Sequence, residues 1–282
     1  MLKAMSILHL PPAAARVIVF DWHATLVDTH DAMYLAVDEV LPKLGELGLK
    51  DRLVPPEDSR TLEDAKLVKY VRDYGTLHPK IPAQRKISRT DIFEVLFGPD
   101  DEAKRLAHQA FDQAYRRYMR DVRALEPEAR EHLERLRALG FRLGLLSNRQ
   151  REFMERELAA VDGVGWSDLF DTMACGDEVG RRTPAPDLIV RALENIDRPV
   201  DQHCWYVGDS TTDIVAAKEA GVTAIFYNGA GWDRTWLDRI FPGTHSHPHE
   251  PDSVVNDLPA LVRLARHMLA QEKRVEREHP WA

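Results

Sequence analysis

The sequence predicts an α/β fold: a doubly wound parallel sheet into which an α-helical domain is inserted. Three observations predict it. Short apolar runs rich in β-branched residues alternate with helical segments, several of those runs end in polar residues, and one long stretch, 29–122, shows helical periodicity and no clear strand. Arg16-Val-Ile-Val-Phe20 is the first run, apolar on both faces as a buried parallel strand requires, and it ends at Asp21. In the inserted stretch Met33, Val37, Val40, Leu41 and Leu44 share one helical face. Ile92, Phe93, Leu96 and Phe97 mark another helix, with Ser88 as its cap. Beyond Pro127 the pattern alternates. Leu133, Leu136 and Leu139 lead to Gly140, Phe141 to Leu146 reads as a strand, and a helix follows through Phe153 and Leu158. Further strands are expected at 172–175, 204–207 and 222–227, with helices at about 186–196 and 211–220. The core domain is therefore 1–28 with 123–270, the insertion 29–122 should cap the strand ends, and 271–282 is a charged C-terminal tail expected to fray.

Composition narrows the function. A chain of 282 residues holds one large or two modest domains, and 44% hydrophobic with 30% charged residues is ordinary globular usage rather than disorder. The 38 basic and 46 acidic side chains give a net charge of −8, which argues against nucleic acid as the main partner. An anionic substrate then needs a local source of positive charge. Cys175 and Cys204 are too few for a disulfide scaffold or a zinc cluster and read as buried thiols in a reducing, cytoplasmic compartment. No apolar run is long enough to span a membrane. The N-terminal stretch after Lys3, Met5 to Leu8, is too short for an export signal and is followed by Pro11 and Pro12. A monomer or homodimer is expected.

Three strand ends carry the candidate chemistry. They are Asp21-Trp22-His23-Ala24-Thr25-Leu26-Val27-Asp28, then Ser147-Asn148, then Gly208-Asp209-Ser210-Thr211-Thr212-Asp213. Each alone is compatible with a turn and a helix cap. Together they bring Asp21, Asp209 and Asp213 to one edge of the sheet, where hard carboxylate oxygens suit Mg²⁺ and substrate phosphate oxygens. A carboxylate beside such an ion can act as a nucleophile.

With Asp-x-x-x-Thr-Leu-Val-Asp, Leu-Leu-Ser-Asn, Pro-Ala-Pro-Asp and Val-Gly-Asp-Ser-x-x-Asp in order, the chain resembles the haloacid dehalogenase superfamily. The likeness is to its Mg²⁺-dependent phosphatases of the phosphoglycolate phosphatase type. It implies a Rossmann-like core with a helical cap and catalysis through an aspartyl-phosphate. Asp21 would be the nucleophile, Ser147 and Asn148 would bind the phosphoryl group, and Thr25 would support the nucleophile loop beside that group. Asp209 and Asp213 would hold Mg²⁺ with Asp21 and the backbone carbonyl of His23. The implied substrate is a small phosphorylated metabolite.

Two positions depart from the family pattern. His23 stands where a second Asp usually serves as acid and base; an imidazole can exchange protons, so a working acid/base, a slowed hydrolase and an inactive protein are all open readings. Thr183 stands where a Lys usually precedes Pro184. Arg181 or Arg182 would then be the nearest source of charge toward phosphate, and Arg182 is taken with Thr183 into the candidate site. Trp22 also resembles phosphonoacetaldehyde hydrolases of the same superfamily, which need a cap lysine; Lys66, Lys69, Lys80 and Lys86 are available, and none is singled out. A non-enzymatic relative that uses the cleft to bind a ligand or a protein is the rival of a different class.

The insertion carries 16 basic and 17 acidic side chains, so the acidic surplus belongs to the core. Tyr74 to Thr90 holds Lys80, Arg85, Lys86 and Arg89 without a carboxylate, and reads as a solvated loop or as a contact for an anionic substrate. His245, His247 and His249 read as a surface loop; Trp166 and Trp205 as packing; Trp232 and Trp236 as core or subunit contact.

Overall fold

The apolar runs become strands, numbered here in chain order: β1 (Val17–Asp21), β2 (Val27–Asp28), β3 (Arg123–Ala124), β4 (Arg142–Ser147), β5 (Thr172–Cys175), β6 (Cys204–Gly208), β7 (Thr223–Tyr227) and β8 (Ser253–Val255). The structure, a computed structural model, describes residues 10–81, 89–118, 122–245 and 248–278. Six strands form one parallel sheet in the order β5-β4-β1-β6-β7-β8, and β2 pairs antiparallel with β3 in a separate ribbon. The chain divides into two compact units, Met1–Asp28 with Val122–Ala282, and Thr29–Asp121.

Alternate residues of each strand point to opposite faces, and both faces are covered. Ile18, Phe20, Leu143, Leu145, Trp205, Val207, Ile225 and Tyr227 enter one core, while Val17, Val19, Leu146, Cys204, Tyr206, Ala224 and Phe226 enter the other. The first face is covered by the helices Ala129–Ala138, Arg151–Ala160 and Leu258–Glu278, through Leu133, Leu136, Met154, Leu158, Leu261 and Leu264. The second is covered by Asp187–Glu194 and Thr211–Ala220, through Leu188, Ile189, Leu193 and Ile214. Trp166 and Trp205 are fully buried, in line with packing roles. Trp232 stacks on Phe226 at 5.9 Å and meets Trp236 edge-on at 6.0 Å, so these two pack beside β7. His249 of the histidine-rich loop lies 3.2 Å from Glu219.

The insertion unit holds the helices His30–Val40, Leu62–Tyr74, Arg89–Phe97 and Asp101–Tyr118, with no strand among its described residues. Its core contains the expected stripe Met33, Val37, Val40, Leu41 and Leu44 together with Ile92, Phe93, Leu96 and Phe97. Thr61 caps Leu62–Tyr74 by accepting from the Asp64 amide at 3.1 Å. Ser88, Arg85, Lys86, His247 and the N-terminal stretch with Lys3 and Met5 to Leu8 lie outside the described residues.

Two local expectations change. Strand β8 was not anticipated, because three residues between Pro251-Asp252 and Asn256 are too short a run to register as a strand. The stretch from Gln271, expected to fray, is helical through Glu278. Leu261, Leu264, Ala265 and Met268 carry that helix along the sheet face, and beyond them Glu272 pairs with Arg16 at 2.8 Å just before β1.

Cys175 ends β5 and Cys204 opens β6; burial is the main cause that pushes both thiols up to about 12. Native protein at pH 8 is therefore expected to resist alkylation by iodoacetamide at both cysteines until denaturant is added, as read by mass spectrometry. In β4, a Cβ on Gly144 would lie 2.8 Å from Thr172 Cγ2 and 3.3 Å from Val19 Cγ2. Gly144→Ala is expected to lower stability by about 1–3 kcal/mol, seen as a lower urea midpoint at unchanged slope.

Candidate active site

The strand order reverses at β1, which lies between β4 and β6, so the loops leaving these three strands part and open a crevice at their carboxyl ends. Asp21 closes β1, opposite Leu146, Ser147 closes β4, and Asp209 directly follows β6. One oxygen each from Asp21, Asp209 and Asp213 lies within 4.8 Å of the others. This all-oxygen donor set fits a hard divalent cation such as Mg²⁺ and would not favour a softer metal.

Each carboxylate is held from behind. Asp213 sits in the first turn of Thr211–Ala220, where Ser210 and Asp213 form a reciprocal capping box. Its Oδ2 accepts from the Ser210 amide at 3.1 Å and the Ser210 hydroxyl at 2.7 Å, and its Oδ1 accepts from the Tyr206 hydroxyl at 2.8 Å. Gly208 makes room for this, since a Cβ there would lie 2.4 Å from Asp213 Cγ. Asp209 accepts from the Thr25 hydroxyl at 3.3 Å. Burial first, and then the like charges of Asp213 and Asp209, push the Asp21 carboxyl well above the ordinary carboxylate range. Burial likewise raises Asp213, against the hydrogen bonds from Ser210 and Tyr206.

Several residues assigned to phosphate from the sequence also make contacts within the scaffold. Thr25 is fully buried, and its hydroxyl orients Asp209. The Asn148 side chain clamps the next loop: its Oδ1 accepts from the Thr183 amide at 2.9 Å and its Nδ2 donates to the Thr183 carbonyl at 3.4 Å. Ser147 is buried at the strand end, and its hydroxyl accepts from the Arg149 amide at 3.1 Å. Arg181 turns out to Asp187 at 2.9 Å, and Arg182 donates through Nε to the Gly176 carbonyl at 3.3 Å. The Thr183 amide clamped by Asn148 precedes Pro184, so the Pro-Ala-Pro loop is fixed next to the β4 loop.

A buried ionic cluster, not expected from the sequence, lies behind the loop after β1. Trp22 donates from its indole to Glu157 Oε2 at 2.8 Å, Arg149 donates to Glu157 Oε1 at 3.0 Å, and His23 Nε2 lies 3.6 Å from Oε2. Trp22 also meets Trp166 edge-on at 6.0 Å. The signal was present, since Glu157 falls at helical spacing between Met154 and Leu158, on a face that is otherwise apolar. Among the lysines of the inserted unit, Lys66 pairs with Glu63 at 2.7 Å and Lys69 with Asp73 at 2.8 Å, both largely exposed. The Asp73 hydrogen bond raises the Lys69 ammonium above its ordinary value, the reverse of what a neutral nucleophilic amine needs.

The comparisons agree with this geometry. A family model for haloacid dehalogenase-like hydrolases matches residues 15–221. Phosphoglycolate phosphatase of Colwellia psychrerythraea is 27% identical over 215 residues, covering 74% of this chain and 82% of that protein. Protein CbbY of Rhodobacter capsulatus is 26% identical over 211 residues, covering 74% and 84%. The crystal structure of a hydrolase from Pseudomonas syringae superposes with a TM-score of 0.58 at 21% identity, over 89% of this chain and 98% of that one, and shares the fold. With its carboxylate-lined switch point and a model match spanning most of its length, the chain belongs to the haloacid dehalogenase-like hydrolases and is an enzyme.

Proposed function

We propose that this hydrolase is a Mg²⁺-dependent phosphatase that cleaves a small phosphate ester through an aspartyl-phosphate at Asp21. The observation that carries the reading is the cluster of Asp21, Asp209 and Asp213, three oxygens within 4.8 Å at the switch point. Asp21, Asp209, Asp213 and the backbone carbonyl of His23 would hold Mg²⁺. When bound there, the ion supplies positive charge to the phosphoryl oxygens.

The chain's own groups perform the transfer. A carboxylate oxygen of Asp21 attacks phosphorus, the ester P–O bond breaks, and imidazolium His23 gives its proton to the departing alkoxide. Water then attacks the phosphorus of the aspartyl-phosphate and passes a proton to His23; the P–O bond to Asp21 breaks and inorganic phosphate leaves. Glu157, 3.6 Å from His23 Nε2, orients the ring for both exchanges. Thr25, Ser147, Asn148, Arg182 and Thr183 would bind the phosphoryl oxygens, Ser147 from the end of β4. The relatives named phosphoglycolate phosphatase favour a small phosphate monoester that carries a carboxylate. Two unpaired buried thiols favour a reducing, cytoplasmic setting. No described helix is long and apolar enough to cross a membrane.

Hydrolysis of p-nitrophenyl phosphate with and without Mg²⁺ tests the reading. Wild type is expected to turn over only with the ion, and Asp21→Asn to lose at least about 1,000-fold in kcat. Turnover that survives Asp21→Asn overturns the nucleophile. For the proton carrier, His23→Ala is expected to lose about 100- to 10,000-fold in kcat. A wild type without metal-dependent turnover, alongside a His23→Asp variant that gains it, removes His23 from that role.

A further inference from the structure

Among the described residues, Arg149 is the one lysine or arginine that is buried, 2% exposed, and it directly follows Ser147-Asn148 at the end of β4. Burying a guanidinium costs several kcal/mol unless it is paired, and a buried pair adds little stability over apolar packing of the same volume. Its place therefore calls for another explanation. Glu157, 1% exposed, accepts from Arg149 at 3.0 Å through one oxygen and from Trp22, the residue after Asp21, at 2.8 Å through the other. The Arg149 carbonyl in turn accepts from the Gly176 amide at 2.8 Å, in the loop after β5. The side chain and carbonyl of Arg149 thus join the loops after β1, β4 and β5.

Position and charge point the same way. Asp21 pairs in the sheet with Leu146, three residues before Arg149, and Glu157 ties the Arg149 guanidinium to Trp22, the residue after Asp21. Thr183 adds no charge from the Pro-Ala-Pro loop, Arg181 is turned to Asp187, and Arg182 leans on the Gly176 carbonyl. We propose that Arg149, oriented by Glu157, is a positioning residue that holds a fixed positive charge beside Asp21 and balances the three-carboxylate cluster from beneath the β1 and β4 loops. This rests on the reading of that cluster as the Mg²⁺ site.

The proposal fixes opposite signs for the two halves of the pair. Removing the guanidinium charge leaves the cluster more negative, so Arg149→Met is expected to bind Mg²⁺ at least about threefold more tightly in calorimetric titration of metal alone. Glu157→Gln, which keeps an acceptor for Trp22 and releases the arginine charge, is expected to bind it at least about threefold more weakly. Arg149→Lys keeps the charge and stays within about twofold of wild type. Thermal unfolding of each variant reports its folding. A merely structural pair would move Arg149→Met and Glu157→Gln in the same direction, or move neither, and either result overturns the proposal. Should Arg149→Met fail to fold, weaker binding by Glu157→Gln beside unchanged binding by Arg149→Lys supports it, and equal affinities overturn it. A wild type that binds no Mg²⁺ overturns the phosphatase reading and this proposal with it, whereas wild-type binding without the opposed shifts overturns this proposal alone.

Discussion

Three carboxylates held within 4.8 Å of one another are the constraint on which the rest of the core depends. At an effective dielectric near 20, two unit charges at that distance repel by roughly 3 kcal/mol, and the cluster contains three such pairs. Left to itself the chain would splay them into water. It cannot, because each is fixed by a different part of the fold: Asp21 by the central strand, Asp209 by the Thr25 hydroxyl, and Asp213 by the capping box of Thr211–Ala220 and by Tyr206. The parallel sheet is what makes this placement possible. Its apolar strands bury both faces and deliver their polar ends to one edge, so the packing energy of the core opposes the repulsion at its rim.

That arrangement changes the meaning of the acidic surplus. The net charge is −8, and part of the acidic surplus is concentrated where three carboxylate oxygens could recruit a cation. Lysine and arginine side chains elsewhere in the core make exposed or half-exposed pairs, such as Arg130 with Asp168 and Lys218 with Asp252, which screen readily and contribute little to the site. Arg149 is different because it is buried, where its charge is screened less by salt.

Much of this was legible in the residues. The runs ending at Phe20, Leu146, Cys175, Val207 and Tyr227 are strands because β-branched and apolar side chains in short blocks can be satisfied only between two covered faces. The acidic ends of β1 and β6 were legible for the same reason, as polar residues that interrupt such blocks. What could not be read was partnership. Thr25 and Asn148 look like ligand-binding residues by type, and nothing along the chain says that one hydroxyl turns to Asp209 and one amide to the Thr183 backbone. Glu157 lies more than 130 positions from Trp22, and only the fold brings them together. The charged stretch after Gln271 misled for a related reason: its own residues favour solvent, but the helix that carries it is anchored upstream by Leu261 and Leu264.

The division of labour among these side chains follows from geometry. A ligand at the strand ends meets backbone amides and a few carboxylates first, so side chains one step back are free to build the frame. Asn148 holds the Pro-Ala-Pro loop with its amide, and Thr25 orients Asp209 with its hydroxyl. His23 and Trp22 differ in the same sense. Trp22 points into the core and ties the loop after β1 to Glu157, while the His23 ring, 15% exposed, stays beside that carboxylate. One buried carboxylate thus anchors a structural tryptophan, a charged arginine and a ring able to exchange protons. The loops after β1 and β4 are coupled through that single group.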